Sequence, residues 1–289
     1  MQSQLEIVQR HPLIGAEVRG VDLARPIDDA TIAAINRAWL ENMVLVFPDQ
    51  AISDEQQIAF ARRFGELEIH PAKDHRSSRH PEIFRVSNVD ESGRIVNPES
   101  EAWSYINVTW LWHADSSFRQ TPSKGSILHG IEVAPEGGET LFCNLYAVYE
   151  ALPDAMRRRV GTMHALHSHD TVLEKHKKLT DPGRFDKYDA RHPLVCRHPV
   201  TQRPFLFLSP HTMAGIEGLS PADSAALLEE LVGFATQERF VYRHTWRKDD
   251  VIMWDNRCTM HAVTAFDNAR FRRVMHRTTL AGETPVLAA

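Results

Sequence analysis

The chain has 289 residues, 43% of them apolar and 25% charged, and a formal net charge of -5. This is an ordinary globular composition, long enough for one large domain or two small ones, and it excludes a disordered or fibrous chain. The acidic balance argues against general nucleic-acid binding, and no apolar run approaches the roughly eighteen residues of a membrane span. The first residues, M-Q-S-Q-L-E-I-V-Q-R, lack the basic stretch and apolar core of a secretory signal. Three scattered cysteines (Cys143, Cys196, Cys258) offer no disulfide framework, so a reducing cytoplasm is the expected compartment. Histidine, at sixteen, is the outlier.

In chain order, the first helix is expected to begin at Asp28 or Asp29, with Ile32, Ile35 and Trp39 on one face. The run M-V-L-V-F (43–47) reads as a buried strand. Ser53-Asp54-Glu55-Gln56 is a capping box, opening a helix that carries Ile58, Phe60, Ala61 and Phe64 and stops at Gly65. Short strands are expected over 83–86, 126–133, 139–142, 205–208, 240–244, 251–254 and 271–279. Turn formers such as Pro135-Glu136-Gly137-Gly138 and Lys248-Asp249-Asp250 separate several of them. Ser220-Pro221 opens a late helix with Leu227, Leu228, Leu231 and Phe234 as its apolar stripe. Residues 161–203, rich in His, Lys and Asp, read as an inserted lid-like segment or a solvated loop. The class is mostly β: a barrel or jelly roll with helices packed outside.

Two His-x-acid pairs occur, His80-Pro81-Glu82 and His113-Ala114-Asp115, and roughly two are expected by chance at this composition. The first sits in a polar, proline-containing loop and reads as the chance match. The second interrupts the apolar run W-L-W-H-A-D-S-S-F (110–118), where an unpaired charge is costly. Residues two apart on a strand point to one side, so His113 and Asp115 can share an ion. W-D-N-R-C-T-M-H (254–261) supplies a third ligand, His261, just after a strand and a polar turn. Two histidines and a carboxylate form the facial triad of non-haem iron(II) oxygenases, with open positions for cosubstrate and dioxygen. A structural zinc site would close all four positions, usually with paired cysteines, which this chain lacks. Core histidines bonded to carboxylates would show the same spacing.

Read as a strand, R-F-R-R-V-M-H-R-T-T (270–279) sends Arg273, Met275 and Arg277 to one face and Arg272, Val274 and His276 to the other. Arginines inside a barrel are costly unless they hold carboxylates, which the planar guanidinium fork matches in two hydrogen bonds. One antiparallel return would bring Arg272 or Arg273 back beside the metal. A basic edge strand is the plain alternative.

Taken together, W-H-A-D-S-S-F (112–118), G-G-E-T-L-F-C-N (137–144), W-D-N-R-C-T-M-H (254–261) and R-R-V-M-H-R (272–277) resemble the α-ketoglutarate-dependent dioxygenases of the taurine and phenoxyacetate-herbicide (TauD/TfdA) family. Further matches are V-L-V-F (44–47), Q-Q-I-A-F-A-R-R-F-G (56–65) and F-V-Y-R-H-T-W (240–246), in order along nearly the whole chain. The resemblance implies a single domain over 1–289 with a double-stranded β-helix core, and a homo-oligomer. It implies His113, Asp115 and His261 as Fe(II) ligands, Thr140 and Arg273 on the distal carboxylate of α-ketoglutarate, and Arg277 on the cosubstrate or the substrate's anion. Arg272 in place of Arg273 would require a different length for the 262–269 loop. The implied reaction couples oxidative decarboxylation of α-ketoglutarate by dioxygen, giving succinate and carbon dioxide, to hydroxylation of an unactivated C–H bond.

W-H-A-D-S-S-F and W-D-N-R-C look closer to the herbicide-cleaving branch, whose product collapses to a phenol. The expected substrate is therefore an aryloxyalkanoate or similar small anionic acid. A sulfonate, sulfate ester or amino-acid-like acid is the alternative, and a non-catalytic acid-binding barrel or a metal-dependent hydrolase is the alternative of another class. Candidates to hold the substrate's anion are Arg277, His211 in S-P-H-T-M, His198, and Lys73 in H-P-A-K-D-H; each has a solvated surface reading beside it. Trp103, Tyr105 and Trp110 would line an aromatic pocket or serve as core packing.

Overall fold

Two apolar runs set the centre of the fold: residues 44–47 and 251–255 are buried at every position, which requires cover on both faces of a sheet. The computed structural model describes residues 5–70, 75–97, 109–169, 171, 189–284 and 287–289. The strands are β1 (Glu6–Gln9), β2 (Ala16–Arg19), β3 (Val44–Phe47), β4 (Phe84–Ser87), β5 (Gly125–Glu132), β6 (Thr140–Asn144), β7 (His164–Ser168) and β8 (Asp189–Pro193). They continue with β9 (Val195–Arg197), β10 (Pro204–Leu206), β11 (Met213–Ile216), β12 (Val241–His244), β13 (Val251–Asp255), β14 (Thr259–Val263), β15 (Val274–Leu280) and β16 (Leu287–Ala288). The helices are α1 (Asp29–Asn42), α2 (Asp54–Arg62), α3 (Leu145–Ala151), α4 (Asp154–Val160) and α5 (Pro221–Ala235).

Seven strands form the large sheet in the order β1-β2-β3-β13-β5-β15-β4, antiparallel except where β2 meets β3. Alternation then sorts the side chains. Leu45, Phe47, Ile127, Val251 and Met253 pack on Trp39, Phe60 and Phe64 of the α1–α2 side. Val44, Val46, Leu128, Ile252, Trp254 and Met275 point the other way, toward Phe142 and Met260 of the small sheet β12-β6-β14. The two facing sheets make the double-stranded β-helix, and two further three-stranded sheets, β11-β7-β8 and β10-β9-β16, complete the strands. Gly125 is required where β5 passes α1, because a Cβ there would stand 2.6 Å from the Trp39 ring and 2.7 Å from the Trp254 carbonyl.

The helix starts follow the sequence. Asp28 caps α1 through the Thr31 amide, Ser53 and Gln56 form the reciprocal capping box of α2, and Ser220 caps α5. The second helix ends earlier than expected, with Arg63 rather than Gly65 at its cap. Two seven-residue helices, α3 and α4, were not expected; they are too short for a 3.6-residue period to show, although Asn144 caps α3 by accepting from the Tyr146 and Ala147 amides. Several expected strands shift by a residue or more, and the last begins only at Val274 because residues 268–271 form a turn and bend ahead of it. The 161–203 segment is not simply a loop: its ends form β7, β8 and β9, with β7 hydrogen-bonded to both β8 and β11. Residues 170 and 172–188 of that segment lie outside the described residues.

Histidines are built into this core. His167, on β7, is buried against the Phe207 ring and meets the Thr212 hydroxyl at 3.1 Å; burial pushes its pKa down to about 3. Burial likewise lowers His75 to about 4. The unfolded chain takes up these protons near pH 6.5, whereas the folded chain resists them until far lower pH. Their stability contribution is therefore complete above pH 6.5 and is lost as pH falls, by roughly 1.4 kcal/mol per pH unit for each group. The melting temperature is expected to drop as pH is lowered from 7 to 5, and more gently in His167→Phe; parallel curves from calorimetry of the two proteins would refute this.

Candidate metal and cosubstrate site

The two histidines are brought together by main-chain pairing. The His113 amide donates to the His261 carbonyl at 2.9 Å, the His261 amide returns to the His113 carbonyl at 2.8 Å, and the ring centroids stand 4.1 Å apart. His261 comes after β13 and the polar turn 256–258, as its sequence context implied, and lies within the next strand, β14, which is held by β6 with His261 opposite Phe142. His113 forms an isolated bridge and not part of a longer strand, and the chain turns at Ser116, whose φ is 57°. Asp115 still faces the histidines across that short extended stretch. One donor atom each from His113, Asp115 and His261 lies within 4.8 Å of the others, and all three residues are buried.

The protonation states suit a cation. The His113 Nδ1–H donates to the Leu111 carbonyl at 2.7 Å, which leaves the Nε2 lone pair available. Burial lowers the pKa of His113, and that of His261 well below the usual histidine value, so both rings are neutral. Burial also works against ionising Asp115, but the Arg277 guanidinium and the hydrogen bond from Ser126 favour the carboxylate and hold the carboxyl below the usual range. Arg277 reaches Asp115 Oδ1 at 2.7 Å, and the Ser126 hydroxyl reaches Oδ2 at 2.7 Å. The Nδ1 of His261 is buried with no hydrogen-bond partner among the described residues. Two neutral imidazoles, one ionised carboxylate and an orphaned ring nitrogen fit a divalent metal held on one face.

A second cluster, His198, Asp255 and Cys258, meets the same distance criterion but has a different balance. Arg257 takes both Asp255 oxygens, at 2.8 and 2.6 Å, and His198 donates to the same carboxylate at 3.2 Å. Burial pushes the Cys258 thiol well above its ordinary value, keeping it protonated. The carboxylate is neutralised by protein. This corrects the expectation for His198: it is wholly buried as a partner of Asp255 and lines neither cavity at the metal ligands.

A narrow cavity runs from His113 and His261 to Thr140, Arg273 and Arg277. Arg273 is 4% exposed, its Nη2 is buried with no partner among the described residues, and burial lowers its pKa to about 10. A buried guanidinium is costly unless it holds an anion, which makes Arg273 the candidate anion ligand of this cavity. Thr140 projects beside it from β6, its hydroxyl accepting from the Trp246 indole at 2.9 Å and so oriented to donate elsewhere. Arg272 is placed differently: it pairs with Glu132 at 2.6 and 2.8 Å and donates to the Gly93 carbonyl at the surface. The two arginines separate as strand alternation expects: Arg273 shares its cavity with Arg277, while Arg272 lies on the other face with Val274 and His276.

A second cavity opens on the other side of the same ligands, lined by Asp115, Arg277, His211, Phe84, Phe118 and His70 among others. Arg277 stacks over the Phe84 ring at 4.9 Å, and His211 stands 5.1 Å from His113 between ring centroids. His70, 4.3 Å from Phe84, was not anticipated; it lies in the same H-P-A-K-D-H stretch that drew attention to Lys73. Phe84 and Phe118 carried no sign in the sequence beyond being apolar. Trp110 is half-buried and lines neither cavity. Lys73, Trp103 and Tyr105 lie outside the described residues. His80 and Glu82 are engaged with Glu55 and Arg62, as the chance reading of that pair required.

The family model described as Taurine catabolism dioxygenase TauD, TfdA family matches residues 6–279. The chain belongs to this family. It is an α-ketoglutarate-dependent dioxygenase, which sets aside the non-catalytic and hydrolase alternatives. Similar proteins include the (S)-phenoxypropionate/α-ketoglutarate dioxygenase of Sphingobium herbicidovorans, 36% identical over 98% of this chain and 97% of that one. The α-ketoglutarate-dependent 2,4-dichlorophenoxyacetate dioxygenase of Cupriavidus pinatubonensis is 37% identical over 93% of this chain and 96% of its own. Among solved structures, AAD-2 in complex with Mn(II) and N-oxalylglycine superposes with a TM-score of 0.89 at 34% identity, covering 98% of this chain and 100% of that one.

The dioxygenase should distinguish its two adjacent arginines sharply. Arg273→Met is expected to weaken α-ketoglutarate binding about 10- to 100-fold, the worth of charge-assisted hydrogen bonds to a carboxylate, and Thr140→Val by less. Arg272→Met should leave it within about twofold, because that side chain serves Glu132. Calorimetric titration of the metal-loaded protein with α-ketoglutarate checks this, and the reverse ranking would transfer the anion site to Arg272.

Proposed function

We propose that this dioxygenase uses Fe(II), held by His113, Asp115 and His261, to hydroxylate an aryloxyalkanoate on the carbon between the ether oxygen and the carboxylate. The hydroxylated product is a hemiacetal or hemiketal that collapses to a phenol and an oxo acid. The observation that carries the reading is the pair of cavities meeting at one metal face, one ending on the unpartnered Arg273, the other lined by Arg277, His211 and aromatic rings. Bound at that face, iron supplies the reaction of α-ketoglutarate with dioxygen that makes an unactivated C–H bond oxidisable.

The chain's own residues do the placing. Arg273 and Thr140 anchor the distal carboxylate of the cosubstrate at the closed end of the narrow cavity. Arg277, one of whose nitrogens is committed to Asp115, presents its remaining donors to the wider cavity, where a substrate carboxylate would meet them. Phe84 and Phe118 offer flat apolar surface for an aryl ring, and the neutral ring of His70 beside Phe84 adds no charge to that wall. Burial of the ligands excludes water, which strengthens each ionic contact in the site. Relatives keep a second substrate class in view: the α-ketoglutarate-dependent sulfate ester dioxygenase of Pseudomonas putida is 32% identical over 96% of this chain.

Two outcomes test the proposal. Purified protein with Fe(II), ascorbate, α-ketoglutarate and oxygen is expected to release succinate in the presence of aryloxyacetates or aryloxypropionates, with phenol in equal amount. Succinate release with alkyl sulfates or sulfonates alone would move the substrate class. His113→Ala should abolish Fe(II)-dependent turnover with an unchanged circular dichroism spectrum, and retained turnover would remove His113 from the ligand set.

A further inference from the structure

Asp115 is held by more than Arg277. Trp254 on β13 and Ser126 on β5 are direct register partners, and Asn256 follows β13 by one residue. The three side chains are buried, with Ser126 at 0%, Asn256 at 1% and Trp254 at 1% exposure. The Trp254 indole Nε1–H donates to Asn256 Oδ1 at 2.9 Å. An indole nitrogen can only donate, so the Asn256 amide is turned with its oxygen toward the tryptophan. Its Nδ2 therefore faces the Ser126 hydroxyl at 3.1 Å and Asp115 Oδ2 at 3.4 Å. Since Nδ2 can only donate, Ser126 Oγ accepts from it, and the hydroxyl's single proton goes to Asp115 Oδ2 at 2.7 Å.

We propose that Trp254, Asn256 and Ser126 are positioning residues, a one-way hydrogen-bond chain that fixes the Asp115 carboxylate for a divalent cation. The inference rests on the reading that His113, Asp115 and His261 hold the metal, and it adds what sets the carboxylate's orientation. Arg277 grips Oδ1 while the chain grips Oδ2. With both oxygens pinned, the carboxylate plane has no freedom to rotate away from the histidines, and Oδ1, with a single donor, keeps a lone pair. Without the chain, Arg277 alone would draw the carboxylate toward itself, toward the substrate cavity. The direction of every proton is dictated by the indole, so no member can reverse without leaving a buried group unsatisfied.

The test is calorimetric titration of metal-free full-length protein with Mn(II). Ser126→Ala is expected to weaken Mn(II) binding about 10- to 100-fold, and Ser126→Thr, which keeps the hydroxyl, to recover most of it. Asn256→Ala and Trp254→Phe provide independent arms should Ser126→Ala fail to fold, and melting of each metal-free variant reports its fold. A purely structural role would lower the melting temperature and leave Mn(II) affinity alone. Folded Ser126→Ala and Asn256→Ala proteins binding Mn(II) within about twofold of the parent, while Asp115→Ala loses it, would overturn the chain and keep the metal site. If Asp115→Ala binds Mn(II) like the parent, the metal reading falls and the chain with it.

Discussion

The site depends on a pair of main-chain hydrogen bonds, those that lock His113 to His261. Without them the two imidazoles would belong to a bridge and a strand with no fixed relation, because they stand 148 positions apart in the chain. Closing so long a loop costs entropy that the two bonds cannot cover alone. The cost is met by the sheets: β14 is fixed to β6, β6 faces the large sheet, and Trp254 and Phe142 pack around His261. The meeting of the two imidazoles is in this sense a by-product of closing the β-helix.

A second constraint is the burial of charge without water. Asp115 and Arg273 are both buried, yet they are treated in opposite ways. Asp115 is compensated within the protein by Arg277 and Ser126, so it remains ionised and placed before any ligand arrives. Arg273 has a nitrogen with no partner among the described residues and a lowered pKa, a cost that the fold carries. The wider core supports that cost through conventional burial: Trp39, Phe47 and Phe60 on the helix side, and Phe142, Trp254 and Met275 inside. A buried Asp255, by contrast, is closed off by Arg257 and His198, and its cluster has nothing to offer a ligand.

Much of this was legible in the chain. The capping residues Asp28, Ser53 and Ser220 announced three helices through side-chain chemistry that acts within four residues. Apolar runs at 44–47 and 251–254 announced the central strands, since a strand covered on both faces needs no polar alternation. Short elements escaped: α3 and α4 have two turns each, and β7 and β8 alternate too briefly among histidines and charges. His70, Phe84 and Phe118 also escaped as site residues. Nothing local marks an aromatic or imidazole side chain as cavity-lining when its neighbours come from distant strands.

By itself the sequence determined which donors exist and how they are grouped: His113 with Asp115, His261 after W-D-N-R, and a pair of adjacent arginines past a turn. Those groupings rest on alternation and turn chemistry, which act over a few residues. Alternation also paired Arg273 with Arg277 and set Arg272 on the other face; only the tertiary structure showed what each meets, Arg273 the cavity beside His113 and His261, and Arg272 the Glu132 carboxylate. Only it gave Arg277 to Asp115, took His198 away from the substrate, and lined Trp254, Asn256 and Ser126 behind the carboxylate. Each of those assignments is a contact between strands far apart in the chain. Such contacts are set by how sheets close, and no local pattern encodes them.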